Sequence, residues 1–147
     1  YENLDGVVKN SGLETSIALN PAKFIKVKYN YTYLRYDRND DNQAALKRPA
    51  HTHSASLMLK PLDGLDITGI YLYVDDRNDL YFDSITYASS RVKLDSYHKF
   101  DMNIRYSLNK TVTLTARGEN LTDADYMNTY GYNTKGRSFY GGAEITL

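Results

Sequence analysis

Apolar and polar residues alternate with a period of two along almost the whole chain, the pattern of strands with one apolar and one polar face. Leu13, Thr15, Ile17 and Leu19 alternate with Glu14, Ser16, Ala18 and Asn20. Ile25, Val27, Tyr29, Tyr31 and Tyr33 alternate with Lys26, Lys28, Asn30 and Thr32. The pattern recurs over 53–60 (Ala55, Leu57, Leu59), 65–75 (Leu65, Ile67, Gly69, Tyr71, Tyr73) and 98–108 (Phe100, Met102, Ile104, Tyr106, Leu108). It closes with 111–119 (Val112, Leu114, Ala116) and 137–147 (Phe139, Ala143, Ile145, Leu147). With a stub at 1–8 this predicts about eight strands and no amphipathic helix.

The connections alternate in length. Asn20–Lys23, Pro61–Gly64 and Asn109–Lys110 predict tight turns, whereas 37–50, 76–96 and 120–136 are long and polar. An up-and-down antiparallel meander puts the tight turns at one end and the long loops at the other, as transmembrane β-barrels do. Strands of about 9–11 residues suit a tilted membrane crossing. A lipocalin-like soluble barrel or a β-sandwich has the same periodicity with the apolar face turned inward, and periodicity does not choose between them.

Composition sharpens the choice. Tyr makes up 15 of 147 residues, with 4 Phe and no Trp, and tyrosine favours both strands and membrane–water interfaces. Tyr29, Tyr31, Tyr33, Tyr71 and Tyr73 share the apolar face, the last of each group toward a long loop, as in an aromatic girdle. No apolar run is long enough for a membrane helix. Eighteen basic and 18 acidic residues balance, which disfavours a nucleic-acid partner, and the absence of cysteine excludes disulfides and thiol chemistry. The chain opens on Tyr1 without an initiator Met, and the expectation is a piece of a longer protein.

Specific marks then run through the chain in order: Asn3; Ser11-Gly12-Leu13-Glu14; Arg48-Pro49 with His51; Arg117-Gly118-Glu119-Asn120-Leu121-Thr122-Asp123; Asp125-Tyr126; and Tyr130-Gly131-Tyr132-Asn133 through Gly136-Arg137. Together they resemble the end of TonB-dependent outer-membrane transporters, with the last run most like the vitamin B12 (cobalamin) receptors. Thr122 departs from that family's usual Phe. The final Gly142-Ala143-Glu144-Ile145-Thr146-Leu147 resembles its C-terminal signal, with Leu in place of Phe.

The resemblance implies a bacterial outer-membrane location. It implies a 22-stranded barrel of which residues 1–147 form a C-terminal segment, with plug and earlier strands absent here. It also implies periplasmic tight turns, outer long loops, and apolar faces turned to lipid and lipopolysaccharide. Lys26, Lys28, Arg105, Arg117, Glu14 and Glu119 would face the lumen. The implied partners are cobalamin or a ferric siderophore, TonB acting through the missing plug, and the barrel assembly machinery. No cofactor is implied.

No catalytic set stands out, so an enzyme is not expected. His51 and His53 share a face at i, i+2, but no third metal ligand is placed by sequence. The runs Asp37–Asn42 and Asp75–Asp79 lack calcium-loop spacing and read as solvated, charge-mixed loops, or as lipopolysaccharide contacts bridged by cations. Tyr81, Tyr87, Tyr126, Tyr130 and Tyr132 stand in long loops, where an aromatic ring with a hydroxyl suits a large, partly polar ligand. The resemblance favours Tyr132 and Asn133 as ligand contacts, with Tyr130, Tyr87 and Tyr81 beside them; packing of Tyr130 and Tyr132 against the barrel rim is the alternative. A stand-alone eight-stranded outer-membrane barrel with a structural or adhesive role, and a soluble barrel binding an apolar ligand, stay open.

Overall fold

The computed structural model describes residues 10–36 and 46–146. The stub at 1–8, the run Asp37–Asn42 and Leu147 lie outside them. The described residues contain no helix. The strands are β1 (Asn10–Ala22), β2 (Ile25–Tyr36), β3 (His51–Leu62), β4 (Leu65–Val74), β5 (Arg77–Phe82), β6 (Ser89–Leu94), β7 (Tyr97–Ser107), β8 (Val112–Glu119), β9 (Met127–Thr129), β10 (Tyr132–Asn133) and β11 (Ser138–Ile145). Seven form one sheet in the order β1-β2-β3-β4-β7-β8-β11, every neighbour antiparallel. The two others are small hairpins, β5–β6 and β9–β10, inside the long connections.

Register carries each strand's alternation across the sheet. Leu19 lies opposite Val27, Val27 opposite Leu57, Leu57 opposite Gly69, Gly69 opposite Met102 and Met102 opposite Gly118. The predicted apolar residues therefore form one continuous face, because pairing partners point the same way. Ala18, Lys28, Ser56, Ile70, Asp101 and Arg117 lie on the other. That face carries ion pairs: Arg117 with Glu119, Lys99 with Asp101 at 2.9 Å and Arg105 with Glu144 at 3.0 Å.

The apolar face is not a core. Leu13, Ile17, Leu19, Leu57, Leu114, Phe139 and Ile145 are all exposed, and among the described residues only Val74 and Leu94 are buried hydrophobics. A soluble barrel or sandwich would fold this face inward, whereas this single-layer sheet leaves it open, as a lipid-facing wall requires. Toward the long-loop end the face turns polar-aromatic. Tyr29 Oη meets His53 Nδ1 at 2.7 Å, and Tyr31 Oη meets His51 Nδ1 at 2.8 Å. The two histidines do share a face, each engaged by a tyrosine.

The tight turns differ in detail from expectation. β1 runs through Pro21 to Ala22, and its turn is Lys23–Phe24. The ladder is irregular between Leu19 and Ala22, and again between Leu59 and Leu62, so Pro21 and Pro61 fall where a missing N–H breaks no regular pairing. Gly64 turns with φ +79, and a Cβ there would stand 2.7 Å from the Ser107 carbonyl oxygen. The third turn is held by Asn109 Oδ1, which accepts the Thr111 and Val112 N–H groups, each at 2.8 Å.

Candidate functional site

The long connections gather at one end of the sheet, and buried polar groups hold them together. Asn120 begins the connection from β8 to β11 with φ +49 and only 3% exposure. Its N–H donates to Asp101 Oδ1 on β7 at 2.8 Å. Its Nδ2 donates to the carbonyls of Ala124 at 2.9 Å and Lys135 at 3.4 Å, and its Oδ1 accepts the Ala124 N–H at 3.0 Å. Asp123 Oδ1 accepts the Arg137 N–H at 3.0 Å. The Asn120–Asp123 and Gly136–Arg137 motifs are thus the two ends of one staple that closes the loop on itself. Between them Gly131, at φ +81, turns the β9–β10 hairpin.

A second set of bonds docks this loop on the β5–β6 hairpin. Asp79 is 1% exposed. Its carboxylate accepts the N–H of Tyr130 and that of Leu80, each at 2.8 Å, with Lys47 Nζ at 3.6 Å. Burial alone would push the Asp79 carboxyl up; the two amides and the Lys47 ammonium outweigh it and hold it below the usual carboxylate range. Arg77 is 6% exposed. Its Nη2 donates to the Met127 carbonyl at 2.8 Å and more weakly to Asn128 Oδ1 at 3.4 Å, and its guanidinium lies 5.7 Å from the Tyr97 ring centroid. Tyr97 and Tyr126 stack with centroids 4.0 Å apart. The Lys47 N–H donates to the Asn78 carbonyl at 2.7 Å, so the connection from β2 joins as well.

Arg77 and Asp79 correct the reading of the run Asp75–Asp79 as a solvated loop. The run opens strand β5, and period two sends Arg77 and Asp79 inward while Asn78 and Leu80 face out. Charges occupy the positions where apolar residues usually betray a strand. The spacing Arg77-x-Asp79, with Val92-x-Leu94 on the partner strand, is the signal the sequence carried. The hairpin's far turn is tied by Asp83 Oδ1, which accepts the Ile85 N–H at 2.7 Å and the Thr86 N–H at 3.2 Å. Those amide donors hold its carboxyl below the usual range.

Of the predicted contact residues, the structure brings together Tyr81 and Tyr130, whose rings meet edge-on at 5.3 Å. Tyr87 is 79% exposed at the hairpin's far end and meets Phe82 instead, centroids 6.3 Å apart. Tyr132 is 73% exposed on β10, with Asn133 beside it. Tyr130 also lines a cavity of about 230 Å³ with Tyr126, Met127, Leu94 and Asp95. A larger cavity, about 660 Å³, opens at the rim between Leu34, Tyr36, Arg48, Asp75, Asp76 and Arg77, a size that accepts a small-molecule ligand or part of a larger one.

The family model of the TonB dependent receptor-like β-barrel matches residues 1–121. The vitamin B12 transporter BtuB of Vibrio cholerae is 28% identical over 142 residues, which cover 95% of this chain and 22% of that protein. The pyoverdine outer-membrane receptor FpvA of Pseudomonas aeruginosa superposes with a TM-score of 0.76 at 17% identity, over 95% of this chain and 22% of FpvA. The siderophore receptor PirA of Acinetobacter baumannii gives 0.75 at 19% identity, over 92% of this chain and 22% of PirA. The chain spans about a fifth of the length of these relatives.

Proposed function

The chain belongs to the TonB-dependent receptor β-barrel family, a family of outer-membrane proteins, and from that premise we propose that it is the C-terminal wall and outer rim of a nutrient receptor. The observation that carries this is the pairing of an uncovered apolar sheet face with an interlocked polar loop cluster at one end. Lipid covers the face, the Lys26, Lys28, Arg105 and Arg117 side faces the lumen, and the loops meet ligand from outside. Residues 1–147 supply strands near the end of a 22-stranded barrel whose plug and earlier strands lie elsewhere in the full protein.

The ligand is a scarce nutrient, cobalamin or a ferric siderophore. Tyr81, Tyr130, Tyr132, Asn133 and Tyr87 offer it aromatic and amide contacts at low entropic cost. TonB acts through the plug to admit it, and no bond in the ligand is made or broken. The barrel assembly machinery inserts the wall among outer-membrane lipid and lipopolysaccharide. Edge strands β1 and β11 do not pair with each other among the described residues, which favours a larger barrel over a stand-alone eight-stranded one.

Uptake of radiolabelled cobalamin and ferric chelates tests the reading. Cells with the full-length gene should accumulate one of these ligands and lose that uptake when either the gene or TonB is deleted. Uptake that is indifferent to both deletions refutes it.

A further inference from the structure

All three histidines of the chain, His51, His53 and His98, stand on the apolar face of the sheet, toward its long-loop end and among tyrosines. An aromatic girdle is ordinarily built of Trp and Tyr, whose polar tips reach toward headgroups and water. Histidine is not one of its usual residues, and here two phenols turn across the strands to meet it. Tyr29 Oη lies 2.7 Å from His53 Nδ1, and Tyr31 Oη lies 2.8 Å from His51 Nδ1. The rings form one continuous cluster. Centroids are 4.7 Å apart for Tyr31 and His53, 5.1 Å for Tyr33 and His51, and 5.6 Å for His53 and Tyr73. All of these side chains are half-buried. Among the described residues neither His51 nor His53 has a carboxylate in ion-pair reach, so the phenols are their polar partners.

We propose that this cluster is a one-electron donor site, in which hydrogen-bonded phenol–imidazole pairs reduce peroxyl radicals of the surrounding lipid. An oxidised phenol is too acidic to keep its proton, so the electron leaves readily only where a base stands within hydrogen-bond reach. The two Oη–Nδ1 contacts meet that condition. In the tautomer that carries its proton on Nε2, Nδ1 has the lone pair that takes the phenolic proton. The peroxyl radical gains one electron and becomes a peroxide anion. The phenol loses that electron, and its O–H bond breaks as an Nδ1–H bond forms, leaving a neutral phenoxyl radical and an imidazolium. Interfacial water protonates the peroxide anion to a hydroperoxide, and the imidazolium returns its proton to the hydroxide so formed. In sum, one peroxyl radical and one phenol become one hydroperoxide and one phenoxyl radical. The inference goes beyond uptake and rests on the lipid-facing assignment of the sheet.

The test uses the full-length receptor reconstituted into vesicles of polyunsaturated phosphatidylcholine, with a lipid-soluble azo initiator as the source of peroxyl radicals. Electron paramagnetic resonance should show a phenoxyl radical, and lipid oxidation should lag behind that of protein-free vesicles. His51→Asn combined with His53→Asn places an amide oxygen near each Nδ1 position, which accepts the hydrogen bond but not the proton. Phenoxyl formation should then slow about a hundredfold, the low end of what a placed proton acceptor contributes. Tyr29→Phe combined with Tyr31→Phe keeps the rings, removes the donors, and should abolish both the signal and the lag. Tyr106→Phe should change neither, since Tyr106 is on the same face but at the tight-turn end, away from all three histidines. Gel mobility of the unheated protein checks that each variant assembles; should the Asn pair fail to, the Phe pair still decides. A signal of wild-type strength in either double variant overturns the site. So does the absence of a signal with both the lipid-soluble initiator and a water-soluble one, which leaves the wall reading intact. A signal raised only by the water-soluble initiator overturns the site together with that reading, because the cluster would then face water.

Discussion

On the sheet, Leu13, Ile17, Leu57 and Phe139 stand in the open; in the loop cluster a short way up the same strands, Asp79, Arg77 and Asn120 are the residues shut away. The two regions invert each other's burial because their surroundings differ. On the proposed reading lipid completes the sheet face, so apolar exposure is its working state and a charge there is the error. The loops are surrounded by water and lack enough apolar residues for a core. They are instead ordered by buried polar groups whose donors and acceptors are nearly all satisfied, which is the condition for burying them at all.

The strongest way to break the contrast is to put a charge on the wrong side of the sheet. Leu57→Lys should cost about 2–4 kcal/mol at mid-bilayer and abolish assembly. Ser56→Glu, one residue away on the opposite face and across from Lys28, should assemble normally. Gel mobility of unheated, detergent-extracted protein reads both, and equal tolerance of the two would sink the assignment of faces.

Within the cluster, Asn120→Ala removes the loop staple, strands the Ala124 N–H and leaves an alanine at φ +49. A loss of about 2–3 kcal/mol in local stability is expected, from orphaned polar groups plus left-handed strain. It should appear as faster amide exchange over 121–137, with the sheet amides unchanged.

Acid should loosen the dock between the β5–β6 hairpin and the C-terminal loop. The folded Asp79 carboxyl lies below its unfolded value, so its stabilisation is complete above the ordinary carboxylate range, near pH 4, and is lost as pH falls through the folded value. The Tyr130 amide should lose protection in that acidic window in the wild type. In Asp79→Ala it should be unprotected at every pH, and a wild-type profile flat through acid would contradict the assignment. The smallest effect belongs to Gly131→Ala: at φ +81, with open space around its missing Cβ, the loss should be about 1 kcal/mol and confined to β9–β10. A proteolysis assay of the loop tip would detect it.

The strands of the sheet were legible because its two faces carry opposite chemistry on alternate residues; 25–36 is delimited by its pattern alone. Tyr81 and Tyr130 could be singled out as loop aromatics, but not as neighbours, since 49 residues' separation carries no pairing signal. Hairpins β5–β6 and β9–β10 escaped for a physical reason. In β5 the inward positions hold Arg77 and Asp79, so the short alternation of Val92 and Leu94 on β6 is a weak apolar mark, and β9–β10 is too short to carry one. The two Pro-containing turns were misplaced because proline was read as a turn residue where the ladder irregularities tolerate it inside a strand.

The bond from Lys47 to Asn78 and those from Asp79 to Tyr130 and Arg77 to Met127 tie three connections into one unit. Anyone seeking to retarget such a receptor by grafting loops from a relative would therefore have to transplant 46–50, 75–96 and 120–137 as a set. A single exchanged loop would arrive without its lock or without its key.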